Sequence, residues 1–363
     1  MYSITMSSQK ILEFRDFVKS SMFSKYVAIV FGEESFYGMV IDEGVVPVAS
    51  LFEIPERHVD ENLVVYVPIK IMSTIANSAS SVLMFDVSED NIRVDIDGTS
   101  INITPVDVAN DEKIDLTSIV ELKNNIENFG SSHQVGEALH DAIKETKIGD
   151  KSFVGAKYAV SKFDQGDLHS GSSSYFTIVN GAVPNDVSVE FHTVFLPRLQ
   201  LISSEQSILR YDENGIMVSR GSLHFISDIS SVNVGIPDVK SVMSSQEVII
   251  DAVAEYDQIL SYLDHLSKLY IVIMDKKDKL VDVSFDDNSI KFFVYDKSNK
   301  MSNASDSITI NEAKQYRTVT VEFGVFQEFL KHVDKEESLR IKILENGVYM
   351  KKGSTEGFLT VFM

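Results

Sequence analysis

The chain has no cysteine, which excludes disulfides and cysteine-ligated metal and makes a reducing, cytoplasmic compartment the expectation. No apolar run approaches the ~18 residues that a membrane-spanning helix needs. The N-terminus lacks the charged-then-apolar pattern of a secretory signal. Cations are outnumbered: 33 Lys and Arg stand against 54 Asp and Glu, a formal net charge of −21. Taken as a sum, that charge argues against nucleic-acid binding, which ordinarily leaves a basic footprint. Tryptophan is absent as well, and nothing follows from it.

Catalytic motifs are missing too. The chain contains no G-x-x-x-x-G-K-[ST], no G-x-S-x-G and no H-E-x-x-H. Ser170-Gly171-Ser172-Ser173-Ser174 has no His and Asp arrangement to make it a nucleophile, so it reads as a surface loop. Asp95-Ile96-Asp97-Gly98 lacks the closing Glu of a calcium loop and reads as a hairpin turn. The eight His are scattered, without ligand spacing. No catalytic residue, metal site or cofactor is expected, and the protein reads as a non-enzyme.

What is present is a repeat. Val319 to Phe323 alternate as a strand, Phe326, Phe329, Leu330 and Val333 recur at helical spacing, and Leu339 to Ile343 alternate again. The turn Glu345-Asn346-Gly347 follows, then strands to Phe362. The same order runs from Val65 through a helix at Ile71 and Ile75, then strands at Val82 to Val87, Ile92 to Ile96 and Ile101 to Thr104. It recurs from Val189 through a helix at Leu199 and Ile202, then Ile208 to Tyr211, the turn Asp212-Glu213-Asn214-Gly215, Ile216 to Val218 and Leu223 to Ile226. The copies start about 125–130 residues apart, the size of one ordinary domain.

A preceding half repeats as well. Helices marked by Ile11, Phe14 and Val18, by Leu139, Ala142 and Ile143, and by Tyr256, Ile259 and Leu263 each lead into strands, at Tyr26 to Phe31, Phe153 to Val160 and Tyr270 to Met274. Each third is thus helix, strands, helix, strands, which predicts an α+β fold of three tandem domains at 1–113, 114–243 and 244–363. Met1 to Ser8 reads as an edge strand. Ile114 to Gln134 has no counterpart elsewhere and reads as a strand at Leu116 to Leu122 plus a short helix.

Charge is unevenly placed. If the helices of each domain share one side, their exposed faces carry Lys10, Arg15, Lys19 and Lys70 in the first domain. Lys144, Lys147 and Arg198 follow in the second, and Lys268, Lys331 and Lys335 in the third. Asp and Glu crowd the turns and connectors. Asp16, Glu137, Asp141, Glu145, Asp257 and Asp264 lie among these cations, so charge alone also allows an ordinary solvated helix face.

Three helix-strand-helix-strand domains in this length resemble the bacterial β sliding clamp, the processivity subunit of the replicative DNA polymerase. The more specific pieces are Gly235-Ile236-Pro237-Asp238-Val239-Lys240-Ser241-Val242, similar to the family's connector into its third domain, the strand-Pro-helix of Val65 to Ile75, and the closing strands from Leu339 to Met363. The family's Thr-Asp-Gly-His-Arg-Leu type segment is not kept at Ser172 to Thr177. Such departures suit a divergent clamp, of the kind a virus of bacteria would encode.

The resemblance implies antiparallel sheets outside, two helices per domain inside, and a head-to-tail homodimer closed as a pseudo-six-fold ring. Closure would use sheet edges near Ile101 to Thr104 and around Lys268 to Tyr270. Double-stranded DNA would thread the hole, touched loosely at its phosphates by the cations named above. The DNA polymerase and an ATP-driven loader would bind through short peptides. Their apolar cleft, between domains 2 and 3, would be lined by Val154, Ser173, Tyr175, Phe176 and Pro237, with Ser241, Val242, Val361, Phe362 and Met363. A β-rich assembly protein of a viral particle, with no DNA role, is the other class that the same composition fits.

Overall fold

Period-two runs of Val, Ile and Phe become strands, and apolar residues at three-and-four spacing become helices that cover them. In the computed structural model the described residues are 2–360, apart from 22–23, 33–34, 43–45, 56–62, 110–112, 147–159, 173–174, 204, 231–240, 242–243, 256–260, 262–263, 265–278, 287–288, 297–302, 310–316, 323–337 and 345–346. They divide into two units, residues 1–140 with 194–233, and residues 141–193 with 234–363.

The first unit holds two antiparallel sheets. One is four-stranded, in the order β1 (Tyr2–Ser7), β6 (Val82–Val87), β7 (Ile92–Ile96), β8 (Thr99–Ile103). The other is eight-stranded: β5 (Leu63–Pro68), β2 (Tyr26–Phe31), β3 (Ser35–Asp42), β4 (Val48–Pro55), β16 (Leu223–Asp228), β15 (Gly215–Arg220), β14 (Ser207–Tyr211), β9 (Ser131–Val135). Helix α1 (Ser8–Ser20) fills the space between the sheets. Its Phe14 meets Phe52 of β4 at 5.2 Å and Phe85 of β6 at 5.9 Å between ring centres. Gly38 of β3 leaves room for the Phe17 ring, which a Cβ there would meet at 3.1 Å.

Two more helices flank α1. Helix α2 (Ile69–Ser78) buries Met72, Ile75 and Ala76. Arg15 of α1 donates from Nε to the Ala76 carbonyl at 2.7 Å and from Nη2 to that of Ala79, capping the end of α2. Helix α5 (Leu196–Ile202) buries Leu196, Leu199 and Ile202.

The opposite face of the eight-stranded sheet is covered by α3 (Leu116–Phe129), where Ile126 packs on Ala49, Met217 and Ile226. This corrects the strand expected at Leu116 to Leu122. The β-branched Ile119 and Val120 suggest a strand, but Ile119, Leu122 and Ile126 recur at helical spacing. Asp115 caps the helix by accepting from the Ser118 amide at 3.2 Å.

The second unit has the same plan. Its eight-stranded sheet runs β13 (Val189–His192), β10 (Val160–Asp164), β11 (Asp167–Ser172), β12 (Tyr175–Val179), β24 (Thr355–Thr360), β23 (Gly347–Lys352), β22 (Ser338–Leu344), β17 (Val248–Glu255). Its four-stranded sheet runs β20 (Asn303–Thr309), β19 (Ser289–Asp296), β18 (Lys279–Asp286), β21 (Arg317–Glu322). Helix α4 (Glu137–Thr146) leads into this unit. The expected serine loop is different: Ser170 is a buried residue of β11, bonded to Ser161 Oγ at 2.6 Å.

The strand order repeats three times. Within each repeat one four-stranded group ends at β4, β12 or β20. A second group ends at β8, β16 or β24. Inside the chain β4 pairs with β16 and β12 pairs with β24, which is how four-stranded groups become eight-stranded sheets. The strands β8 and β20 remain as sheet edges.

Candidate nucleic-acid interface and peptide cleft

The cations expected on helix faces have unequal surroundings. Lys19, in the last turn of α1, and Lys70, in the first turn of α2, are exposed. Lys144 is exposed and pairs with Asp141 one turn earlier at 3.2 Å, a contact worth little in water. Lys10 is tied to Glu13 at 3.1 Å, and the Arg15 guanidinium is engaged by α2. A cleft of about 410 Å³ beside α1 is lined by Arg15, Lys19 and Arg220 but also by Glu13, Asp16 and Glu205. The helix surface there is mixed in sign rather than uniformly basic. Lys147, Lys268, Lys331 and Lys335 lie outside the described residues.

Arg198 is a correction. Its side chain is 1% exposed, paired with the equally buried Asp42 at the end of β3, and donates from Nη1 to the Val194 carbonyl at 2.7 Å. Asp42 also accepts from the Ser24 amide at 2.9 Å. A guanidinium in that position has no access to a phosphate. The residue joins α5 to β3, 156 positions apart in sequence, and a helical cation beside Pro197 gave no sign of such a partner.

Sequence reading also missed a polar cluster on the α3 side of the β4·β16 joint. Lys123 of α3 lies 3.0 Å from both Glu53 and Glu127. Ser35 donates to Glu53 at 3.0 Å, and Ser219 Oγ bonds His224 Nδ1 at 2.9 Å. Burial alone would raise the Glu53 carboxyl, but its hydrogen bond and charge interaction with Lys123 outweigh that and hold it below the usual carboxylate range. Burial, with Lys123 nearby, pushes His224 down to about 4, so its imidazole is neutral near pH 7. The Ser219, His224 and Glu53 side chains are buried or nearly so, and Lys123 covers them, so this constellation fastens α3 rather than presenting a nucleophile.

In the second unit, Phe176 of β12 packs against Ile178, Leu344, Tyr349 and Phe358 on one face of the sheet. Lys342 sits over the Tyr349 ring at 5.7 Å. Tyr175 opposes Leu359 across the β12·β24 pair. Ser241 is exposed, and its carbonyl accepts from the Ser245 amide at 3.0 Å. Val154, Ser173, Pro237, Val242, Val361, Phe362 and Met363 lie outside the described residues. Among the described residues, no group of three or more His, Cys, Asp or Glu could hold a metal ion, and no helix is long and apolar enough to cross a membrane.

No protein-family model and no curated relative matches the sequence. Solved structures do match in shape, over nearly the whole chain. The DNA polymerase III beta subunit of Thermotoga maritima superposes with a TM-score of 0.74 at 11% identity, covering 99% of both chains. The DNA polymerase sliding clamp of Bacillus subtilis gives 0.71 at 13% identity, again covering 99% of each. The Helicobacter pylori beta clamp, in a structure bound to a DNA ligase peptide, gives 0.64 at 11% identity and covers 100% of both. From end to end, this chain has the three-domain fold of the bacterial β sliding clamps.

Proposed function

We propose that the protein is a DNA sliding clamp: a non-catalytic ring that encircles duplex DNA and tethers a replicative polymerase for processive synthesis. The observation that carries this reading is the full-length likeness to clamps, matched by a strand order that repeats three times within the chain. Domains at 1–113, 114–243 and 244–363 each supply two four-stranded groups. Two chains joined head to tail make six domains, and a second copy closes the edges left at β8 and β20. The partners of β4 and β12 inside the chain are the precedent for that pairing.

DNA is held by topology, so weak phosphate contacts suffice and permit sliding. Lys19 and Lys70 are the exposed cations that serve this, with Lys144 and, through their charge, Lys10 and Arg15. Lys147, Lys268, Lys331 and Lys335 are the further cations proposed for this role. The acidic remainder disfavours other DNA contacts. The residues proposed for the cleft that takes polymerase and loader peptides are the half-buried Phe176 with Val154, Ser173, Tyr175, Pro237, Ser241, Val242, Val361, Phe362 and Met363. The ligase peptide on the Helicobacter pylori clamp supports this use of the fold. Work of this kind belongs in the cytoplasm, beside the replicated DNA.

Electron-microscope class averages of the concentrated protein test the reading. Six-lobed rings with a hole wide enough for a duplex are expected. Solid particles, or filaments and sheets, would overturn it in favour of an assembly role.

A further inference from the structure

Arg220, at the end of β15, stands where the second repeat meets the first helix of the chain. The turn that follows it is fixed to α1 without its help. The Ser222 amide donates to Glu13 of α1 at 3.1 Å, Lys10 donates to the Ser222 hydroxyl, and the Ser222 carbonyl accepts from the Glu53 amide at 2.8 Å. Gly221 supplies the φ of +58 at the tip. Lys352-Gly353-Ser354 repeats this basic-Gly-Ser pattern, and there Thr355, just after the turn, donates to Glu145 of α4. The turn-to-helix lock is thus made by residues that follow the basic one.

The Arg220 side chain is left loosely held. Its Nη2 donates to Asp16 of α1 at 2.6 Å. Its Nη1 lies 3.5 Å from the Ile202 carbonyl and 3.9 Å from Glu205, beyond the ordinary N–H···O range of about 2.7–3.2 Å. One carboxylate oxygen therefore holds a planar fork that can grip two. Asp16 is as uncommitted: among the described residues it accepts from Arg220 alone. Asp97, before β8, is the contrast. Its carboxylate accepts from the amides of Ser80, Ser81 and Val82 at 2.8–2.9 Å and from the Ser80 hydroxyl at 2.8 Å, so it is fully engaged within its own repeat.

The Arg220–Asp16 pair faces open space. It lines the cleft of about 410 Å³ together with Arg15 and Lys19, which leaves room for a phosphodiester. Lys19 is exposed, and Arg15 directs its Nε and Nη2 to the neutral carbonyls of Ala76 and Ala79. Glu13, on the same wall, is paired with Lys10. The carboxylates left to answer these cations are Asp16 and Glu205, and Glu205 is 74% exposed.

We propose that Asp16 holds Arg220 in reserve for a DNA phosphate. A phosphate entering the cleft between Arg15, Lys19 and Arg220 takes the guanidinium from Asp16, and Asp16 takes it back when the phosphate leaves. This rests on the clamp reading for its ligand. It adds a phosphate contact that is on no helix face, and a carboxylate that competes with the DNA for it. The competition keeps the contact weak and quickly exchanged, because the hydrogen bonds to phosphate replace one that is already made.

A double-mutant cycle tests this, with affinity for a short linear duplex read by fluorescence anisotropy at about 50 mM salt. Asp16→Asn frees Arg220 and should tighten binding about threefold to tenfold, with a salt dependence steeper by about one phosphate contact. In the Arg220→Gln background the same substitution should change affinity by less than about twofold. A chain weakened by the substitution would lose affinity rather than gain it. Equal gains in both backgrounds would reflect only the removal of a negative charge and would overturn the proposal, as would no gain in either. Class averages of the same four proteins keep the two readings apart. Rings without an Arg220-dependent gain overturn the proposal alone, whereas such a gain without rings overturns the clamp reading and leaves the phosphate site.

Discussion

The β4·β16 joint and the β8 edge occupy equivalent places in successive repeats, yet they are finished differently. At the joint, polar groups of one repeat are handed to the other: the Arg198 side chain to Asp42, the Lys123 side chain to Glu53 and the Ser222 backbone amide to Glu13. At the edge, Asp97 turns back on its own chain. A repeated backbone plan thus carries different side-chain chemistry at its equivalent turns.

Four changes probe this contrast. The largest effect is expected from Arg198→Ala, which strands the Asp42 carboxylate in the interior and costs about 3–5 kcal/mol of stability. Urea denaturation reads it, and a loss below about 1 kcal/mol would show the pair to be dispensable. Next comes pH. The unfolded chain takes up a proton on His224 from about pH 6.5 downward, whereas the folded chain does so only near 4. Stability present above 6.5 is therefore lost through that window, by about 3 kcal/mol at most. The slope should flatten in His224→Gln, and an unchanged slope would assign it elsewhere.

Two glycines in corresponding hairpin turns, Gly221 as the first turn residue and Gly98 as the second, give a smaller and more pointed comparison. A Cβ on Gly221 would lie 2.4 Å from Glu13 Oε1, so Gly221→Ala both strains the backbone and presses on the lock, at roughly 2 kcal/mol. Gly98→Ala meets open space and costs about 1 kcal/mol from backbone strain alone. Equal losses would mean that the turn lock contributes nothing. The smallest effect is local. Asp97→Asn weakens the hold on residues 80–82 and should speed amide exchange there while leaving the β4·β16 joint unchanged. In the unsubstituted protein the same hydrogen bonds keep the Asp97 carboxyl well below the usual carboxylate range. Their contribution persists above an ordinary aspartate pKa and fades only as pH falls further.

Periodicity made much of the fold legible. Tyr26–Phe31, Val82–Val87 and Ile92–Ile96 are strands at the expected boundaries, and α1, α2, α4 and α5 fall where helical spacing placed them. Those signals are local and depend on which face of an element is buried. Helix α3 was obscured because Ile119 and Val120 are β-branched, while its cap, Asp115, lies before them and its buried Ile126 beyond. Arg198 was misread for a different reason: its partner is 156 residues away, and nothing local separates an inward from an outward arginine. Phe176, which the resemblance places in the peptide cleft, packs against the buried Ile178, Leu344, Tyr349 and Phe358. The basic-Gly-Ser repeat at 220–222 and 352–354 was present in the sequence, but its meaning required the helix each turn meets.

The most direct test of the clamp reading asks whether binding is topological. A head-to-tail dimer bridged at both joints by cysteines introduced on β8 and β20 would be formed in the presence of closed circular DNA, gel-filtered in high salt, then filtered again after one cut in the DNA. Topological binding predicts retention on the circle despite salt and release from the linear molecule. Salt-sensitive loss from the circle, or equal retention on both forms, would contradict it.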